Sequence, residues 1–323
     1  MNRLGLRSAI AAAIGAAAIV VTFGVPDASA QNRRIVVPYT PGSGPDILAR
    51  LMAEQIGTQN GPNFVVENRP GGGMLIGTEV AARAEPDGNT VLLAGNSFVV
   101  NAAMKRGNYG VTTSFEPICY LAATPIVFVV QGSAPYKTLA EFVAAAKQKP
   151  GSISFASGGP GTSLHVAVEV LKGATGIDAA YVPYGGTLPA INALLGGHVQ
   201  AVAADYPTVV AQLQAGTIRG LAITSAKRSS ALPDVPTLNE TGLAKHDSDV
   251  FYGVMAPAKT PAPAVKLLTD AFLAALQAPA MQPKLAQQGL FPVGTCGAPF
   301  GEFLRSSVAE YERIIKDAHI QTN

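Results

Sequence analysis

Tryptophan is absent, cysteine occurs twice, histidine four times, and only 14% of the 323 residues are charged. Each shortage removes a class of function. Aromatic residues make up 7%, too few for the stacking platforms that grip bases or sugar rings. Lys plus Arg number 23 against 21 Asp plus Glu, a net charge of +2 with no basic run, so the chain is not built to hold nucleic acid. His165, His198, His246 and His319 form no H-E-x-x-H and no other metal spacing, and no metal or other cofactor is expected. The phosphate loop G-x-x-x-x-G-K-[ST] and the hydrolase elbow G-x-S-x-G are both missing. With 48% hydrophobic residues, a chain so poor in charge is not disordered either.

Mean hydropathy is +0.26, yet after residue 31 no stretch reaches 18 apolar residues without a charge, Gly or Pro. The excess sits at the start. Arg3 and Arg7 precede an apolar run over 8–23, a breaker follows at Gly24-Val25-Pro26-Asp27, and then comes Ala28-Ser29-Ala30. This is the pattern of a secretory signal peptide, cut before Gln31. An uncleaved anchor is the other reading, but the run is short for a span. No Cys follows the run, which speaks against a lipoprotein. Removing 1–30 leaves 21 basic and 20 acidic residues in a soluble exported protein. There Cys119 and Cys296 most simply form one disulfide. Metal binding is weaker, since no His lies near either in sequence, and two separate buried thiols stay open.

Beyond residue 31 the pattern is strand, Gly-rich turn, helix, repeated. Apolar runs at 35–37, 64–67, 91–94, 126–130, 153–156, 180–182, 199–203, 221–224 and 252–256 read as strands. Helical spacing covers 45–56, 75–84, 139–147, 163–173, 188–195 and 209–215, and most of the last seventy residues. Continuous apolar strands alternating with helices imply parallel sheets covered on both faces. No low-complexity linker separates lobes, so two α/β lobes must share several short crossings.

Two strands feed a Gly-rich turn at a helix N-terminus, one at Tyr39 to Gly44 and one at Ser157 to Thr162. Such turns point unpaired N–H groups along a helix dipole and suit an anion. Two of them suggest a pincer, and their lack of Lys and Arg favours a singly charged carboxylate over a polyphosphate. Asn96-Ser97 ends a third strand and lines the same cleft in this reading. Asp46 favours its helix dipole and ties the loop backbone, or touches ligand. Asp205 either accepts from a ligand or caps the helix after it. His165 donates to a ligand, or caps and packs. Tyr39, Tyr184 and Tyr252 wall the cleft, or serve as ordinary core. An exported hydrolase would need Ser163 or Ser97 with His165, but Ser163 and His165 sit two apart on a helix and do not face each other.

At these loops a resemblance becomes specific. Ile35-Val36-Val37-Pro38-Tyr39-Thr40-Pro41-Gly42-Ser43-Gly44-Pro45-Asp46 resembles the V-V-P-F-x-P-G-G-x-x-D opening of the tripartite tricarboxylate transporter (TTT) receptors, the Bug family. Val66-Glu67-Asn68-Arg69-Pro70-Gly71-Gly72-Gly73 is similar to that family's V-E-N-R-P-G-A-G. Pro86-Asp87-Gly88, Ala180-Tyr181-Val182-Pro183-Tyr184, Leu195-Gly196-Gly197-His198-Val199 and Leu232-Pro233-Asp234-Val235-Pro236-Thr237 extend the match over the mature chain. It implies a type II periplasmic-binding-protein fold: two α/β lobes, each a mostly parallel sheet covered by helices, with the ligand cleft between. Lobe 1 would hold 31–124 plus 226–323, and lobe 2 would hold 125–225.

The resemblance implies a periplasmic receptor, monomeric and without catalysis, that delivers a small organic carboxylate to membrane permease subunits of a TTT system. A ligand sensor for a signalling receptor is the alternative. Carried over by position, the ligand set is Tyr39, Thr40, Pro41, Gly42, Ser43, Gly44 and Asp46 from the first loop. Ser157, Gly159, Gly161, Thr162 and His165 come from the second, with Asn96, Ser97, Tyr184 and Asp205 around them. The family's loops bind one carboxylate through backbone amides and ordered waters. Three departures bear on specificity: Ser43 replaces the second Gly of the usual pair, Gly185 stands where many members carry Lys, and Asp205-Tyr206 replaces the frequent Asp-Asn.

Overall fold

The computed structural model describes residues 33–320. The expected signal peptide, residues 1–30, lies outside them.

The chain opens with strand β1 (Arg33–Val37), helix α1 (Gly44–Thr58), β2 (Phe64–Asn68), α2 (Leu75–Ala82), β3 (Thr90–Gly95), α3 (Asn96–Ala103) and β4 (Phe115–Thr124). One residue, Pro125, then separates β4 from β5 (Ile126–Gln131). There follow α4 (Leu139–Gln148), β6 (Ile153–Ser157), α5 (Ser163–Thr175), β7 (Ala179–Pro183), α6 (Thr187–Leu195), β8 (Ala201–Asp205), α7 (Tyr206–Gln214) and β9 (Ile218–Ile223). After a short α8 (Leu238–Thr241), β10 (Val250–Pro257) returns, followed by α9 (Ala262–Gln277), α10 (Met281–Gln287), β11 (Phe291–Cys296) and α11 (Ala298–Asp317).

Two sheets result, one per lobe. The first runs β11-β4-β10-β3-β1-β2 and the second β7-β6-β8-β5-β9. In the first, β1 pairs parallel with β2 and β3, while β10 pairs antiparallel with β3 and β4, and β11 antiparallel with β4. In the second, β6 pairs parallel with β7 and β8, and β5 lies antiparallel between β8 and β9. Most strands in each sheet therefore run one way, and only β10, β11 and β5 are reversed. The sheets are thus mostly parallel, as expected, with these three strands as the exceptions. Strand β5 enters the second sheet directly from β4, after one residue and with no helix between them. The central strands are buried along their whole length, as continuous apolar runs require.

The strands that join the lobes lie side by side. Val250 pairs with Thr124, and the Thr224 N–H donates to Ile126 O at 3.0 Å. Between these points part of the chain covers the second sheet, while Ser248 reaches Tyr311 of α11. Ile223 bridges Thr237, and Leu232 and Val235 pack on the core beneath α6 and β8. The chain rejoins the first sheet with β10 at Val250. The loop after β9 has no apolar run to reveal which lobe it covers.

Strand β4 escaped the sequence reading because Pro117 and Glu116 interrupt its apolar pattern. Pro117 is tolerated where the β4–β10 register shifts, between Val254 and Met255. Edge strand β11 is half exposed and carries Pro292 and Gly294. These two strands place Cys296 opposite Cys119, and the two sulfurs are bonded, closing a sequence separation of 177 residues. Cys119 is fully buried.

The bond joins two strands of one sheet, so its loss loosens the edge rather than the hinge. Non-reducing peptide mapping should recover the linked Cys119–Cys296 peptides. Reduction should lower stability by about 2–5 kcal/mol, measured by denaturant unfolding with and without reductant. Two alkylatable thiols in the exported protein would contradict the assignment.

Candidate functional site

The first glycine loop bridges β1 and α1, and its own protein occupies its amides. The Gly42 N–H donates to Asp46 Oδ2 at 2.8 Å, the Ser43 N–H to Thr40 O at 3.2 Å, and the Gly44 N–H to Asp205 Oδ2 and Thr208 Oγ1, both at 3.1 Å. In this structure these three amides are met by the protein's own atoms. The loop is short enough for its helix's first-turn carboxylate to fold back, and a carboxylate from the other lobe reaches the helix start. Burial pushes Asp46 up, but hydrogen bonds from Arg50, Gly42 and Asn68 outweigh it and hold the carboxyl below its ordinary range. Asp46 thus anchors the loop. Pro41 and Gly42 form the bend, with Gly42 at φ 78°.

The second loop joins β6 to α5 and repeats the theme. Thr162 is fully buried; its Oγ1 accepts from the His165 N–H at 3.1 Å and donates to Gly159 O at 2.8 Å. It is the N-cap of α5. Ser157 Oγ lies 2.7 Å from Tyr181 OH, which removes it from the cleft. The His165 ring packs against Tyr181 with centroids 4.3 Å apart, and Nε2 lies 3.8 Å from Glu169. Burial, the largest influence, lowers the His165 pKa, so the ring is biased to neutral. The Asn96 side chain is also bonded within the protein. Its Nδ2 donates to Asp249 O and Tyr311 OH, and its Oδ1 accepts from the Phe251 N–H at 2.7 Å.

Between the loops lie two chambers. The outer one, about 270 Å³, is lined by Tyr39, Thr40, Ser43, Gly159 and Tyr184, all anticipated. It is also lined by Gly185, already noted as a departure that bears on specificity, and by the 70–74 loop, Arg106, Gly186 and Thr187, which were not anticipated. The inner one, about 20 Å³, brings together Tyr39, Ser97, Thr162 and Asp205 with Met74, Leu164 and Tyr252; it has the room of one water molecule. Burial lifts the Tyr39 hydroxyl to about 12, so Tyr39 is a neutral wall whose OH accepts from the Gly95 N–H at 3.1 Å. Of the anticipated residues, Pro41, Gly42, Gly44, Asp46, Asn96, Ser157, Gly161 and His165 line neither chamber.

Two sets of hydrogen bonds fasten the lobes across this cleft. Asp205 Oδ2, from lobe 2, takes bonds from Gly44 N–H and from Tyr252 OH at 2.8 Å, both of lobe 1, besides its own neighbour Thr208 at 2.9 Å. A Cβ on Gly44 would stand 2.1 Å from that oxygen, so only glycine allows the contact. On the other side, Arg106 Nη1, from lobe 1, donates to Pro160 O of lobe 2 at 3.0 Å and to Asn101 Oδ1 at 3.3 Å. A Cβ on Gly161 would stand 1.7 Å from Arg106 Nη1. Gly161 therefore serves the cleft by admitting the guanidinium. Nothing in the Lys105-Arg106-Gly107 stretch signals this in sequence; the one cue is the glycine at 161 that leaves the guanidinium room.

This arrangement, two lobes closing small polar chambers, has relatives. Residues 48–320 match the model of the tripartite tricarboxylate transporter family receptors, TctC. The chain belongs to this family. BugT of Bordetella pertussis, a TctC relative by sequence, is 30% identical over 98% of both chains. The structure of the periplasmic binding protein BugD is similar at a TM-score of 0.85 and 31% identity, covering 90% of this chain and 98% of BugD. Rpa4515 of R. palustris, solved with adipate, has a TM-score of 0.85 at 29% identity, over 89% of this chain and 97% of its own. The TctC receptors are thus solute-binding proteins with the two-lobed fold found here.

Two outcomes follow. Thr162→Val should lower stability by about 1 kcal/mol in denaturant unfolding through loss of the cap; an unchanged midpoint would deny that role. Asp205 is lifted above its ordinary 3.8, mainly by burial, despite the hydrogen bonds it accepts from Tyr252, Thr208 and Gly44. A raised folded value means the native state holds the proton longer than the unfolded one, so this group's contribution falls as pH rises through the window above 3.8. The stability of the wild type relative to Asp205→Asn should therefore decline as pH climbs from about 4. A difference that grows with pH would reverse the sign.

Proposed function

We propose that this TctC protein is exported, cut before Gln31, and works in the periplasm as a receptor that closes on a small organic carboxylate and delivers it to TTT permease subunits. The carrying observation is the outer chamber: its lining holds one charged side chain, Arg106, among glycines, hydroxyls and two tyrosines. Arg106 uses Nη1 on the protein, and a guanidinium has five N–H donors in all, which leaves a face for a carboxylate. Closing around an anion there adds a bond to each lobe. The adipate bound by Rpa4515 supports the chemical class.

The same geometry speaks against a hydrolase. His165 faces Tyr181 and Glu169 outside both chambers, and no hydrogen bond joins it to Ser163 or Ser97 among the described residues. A general base needs hydrogen-bond reach to its nucleophile.

A thermal-shift screen of short mono- and dicarboxylates, phosphates and neutral sugars tests the reading. An acid at a hundredfold excess over Kd should stabilise by about 2.7 kcal/mol. Arg106→Gln should weaken that acid by about 1.5–3 kcal/mol, read by calorimetry. Shifts from phosphates or sugars alone would overturn the carboxylate assignment.

A further inference from the structure

Ser43 occupies the N-cap position of α1, where a serine ordinarily accepts a bond from the second or third helical N–H. Here it makes none. The second helical residue is Pro45, which has no N–H. The third is Asp46, whose carboxylate has turned back to the Gly42 amide and to Arg50. The serine hydroxyl is released from its usual task. It belongs to the wall of the outer chamber, the residue is 3% exposed, and Oγ is buried with no partner among the described residues. Closing the lobes therefore seals a hydroxyl that nothing in the protein satisfies.

An unpaired buried hydroxyl makes a site selective, because a ligand that supplies the missing atom is favoured and one that does not leaves the penalty standing. The atom it calls for is electron-rich. Ser43 stands at the positive end of a 15-residue helix, and the outer chamber lining holds no acidic side chain to balance an ammonium. Arg106, on the same wall system, takes one carboxylate.

We infer that Ser43 sets ligand specificity: the receptor selects short acids carrying a second oxygen group, a hydroxyl or another carboxylate, which accepts from Ser43 Oγ while the first carboxylate meets Arg106. The inference rests on the receptor reading above. It assigns a role to the position where this chain departs from the Gly of the resembling family.

The test is calorimetry on the mature protein with matched acids: butanoate against 3-hydroxybutanoate, 4-hydroxybutanoate and succinate, and hexanoate against 6-hydroxyhexanoate and adipate. The wild type should bind at least one oxygen-bearing acid about ten- to a hundredfold tighter than its methyl-ended partner. Ser43→Ala and Ser43→Gly should collapse that ratio towards one, and bind the methyl-ended acid no worse than the wild type does. The melting temperature of ligand-free Ser43→Ala should stay unchanged, whereas a capping serine would lower it. Acids that bind with no preference, a preference that survives in both variants, or a lowered ligand-free melting temperature would each overturn the role of Ser43 while leaving the receptor reading intact. No binding of any acid would overturn both.

Discussion

One carboxyl oxygen, Asp205 Oδ2, carries the contact on which the closed arrangement depends. It receives hydrogen bonds from the start of α1 and from β10 in one lobe, and from α7 in its own. A buried carboxylate is costly unless its partners are fixed beforehand. That requirement explains much of the surroundings: Gly44 without a Cβ, Tyr252 buried to its hydroxyl, and Thr208 one turn into α7. The anchoring of the first loop by Asp46 follows from the same demand, since a loop that moved would carry the Gly44 amide out of reach.

The second fastening is of another kind. Arg106 rises from the end of α3, passes between Gly73 and Gly161, and meets Pro160 across the cleft. It is half-buried and borders the outer chamber, so it touches both the opposite lobe and the space for a ligand. The two fastenings divide the work. Asp205 joins the lobes beside the inner chamber, and Arg106 joins them at the outer one. Met74, with a left-handed backbone at φ 76°, borders both chambers, as do Tyr39 and Thr187; such a conformation outside glycine is held only by firm surroundings.

How much of this is legible in the sequence depends on range. The strands with unbroken apolar runs were, because stretches such as Val91-Leu92-Leu93-Ala94 have no polar residue to confuse them, whereas Glu116 and Pro117 hid β4. The two glycine turns were, because Gly, Pro and Ser before a helical pattern mark a strand-to-helix bend wherever they occur. Helix α3 was not: the turn signal at Gly95-Asn96-Ser97 was read as the end of a strand, whereas the helix starts at once with Asn96. The partners of the turns were not legible either. Gly44 and Asp205 are 161 residues apart, and Arg106 and Pro160 are 54 apart. Local chemistry shows that an amide at a helix start wants an acceptor; it does not show whether the acceptor is a ligand or the protein's other lobe. At the first loop it was the protein, and the residue left in want of a partner was the serine hydroxyl.

The central claim is that the cleft closes on a small carboxylate met by Arg106. Its most direct measurement is mass spectrometry of the mature protein taken from the periplasm without refolding, with the small molecules released on denaturation identified. The account predicts one short organic acid per chain, lost when Arg106→Gln is purified the same way. A sugar or phosphate ester in its place, or an acid retained equally by Arg106→Gln, would contradict it.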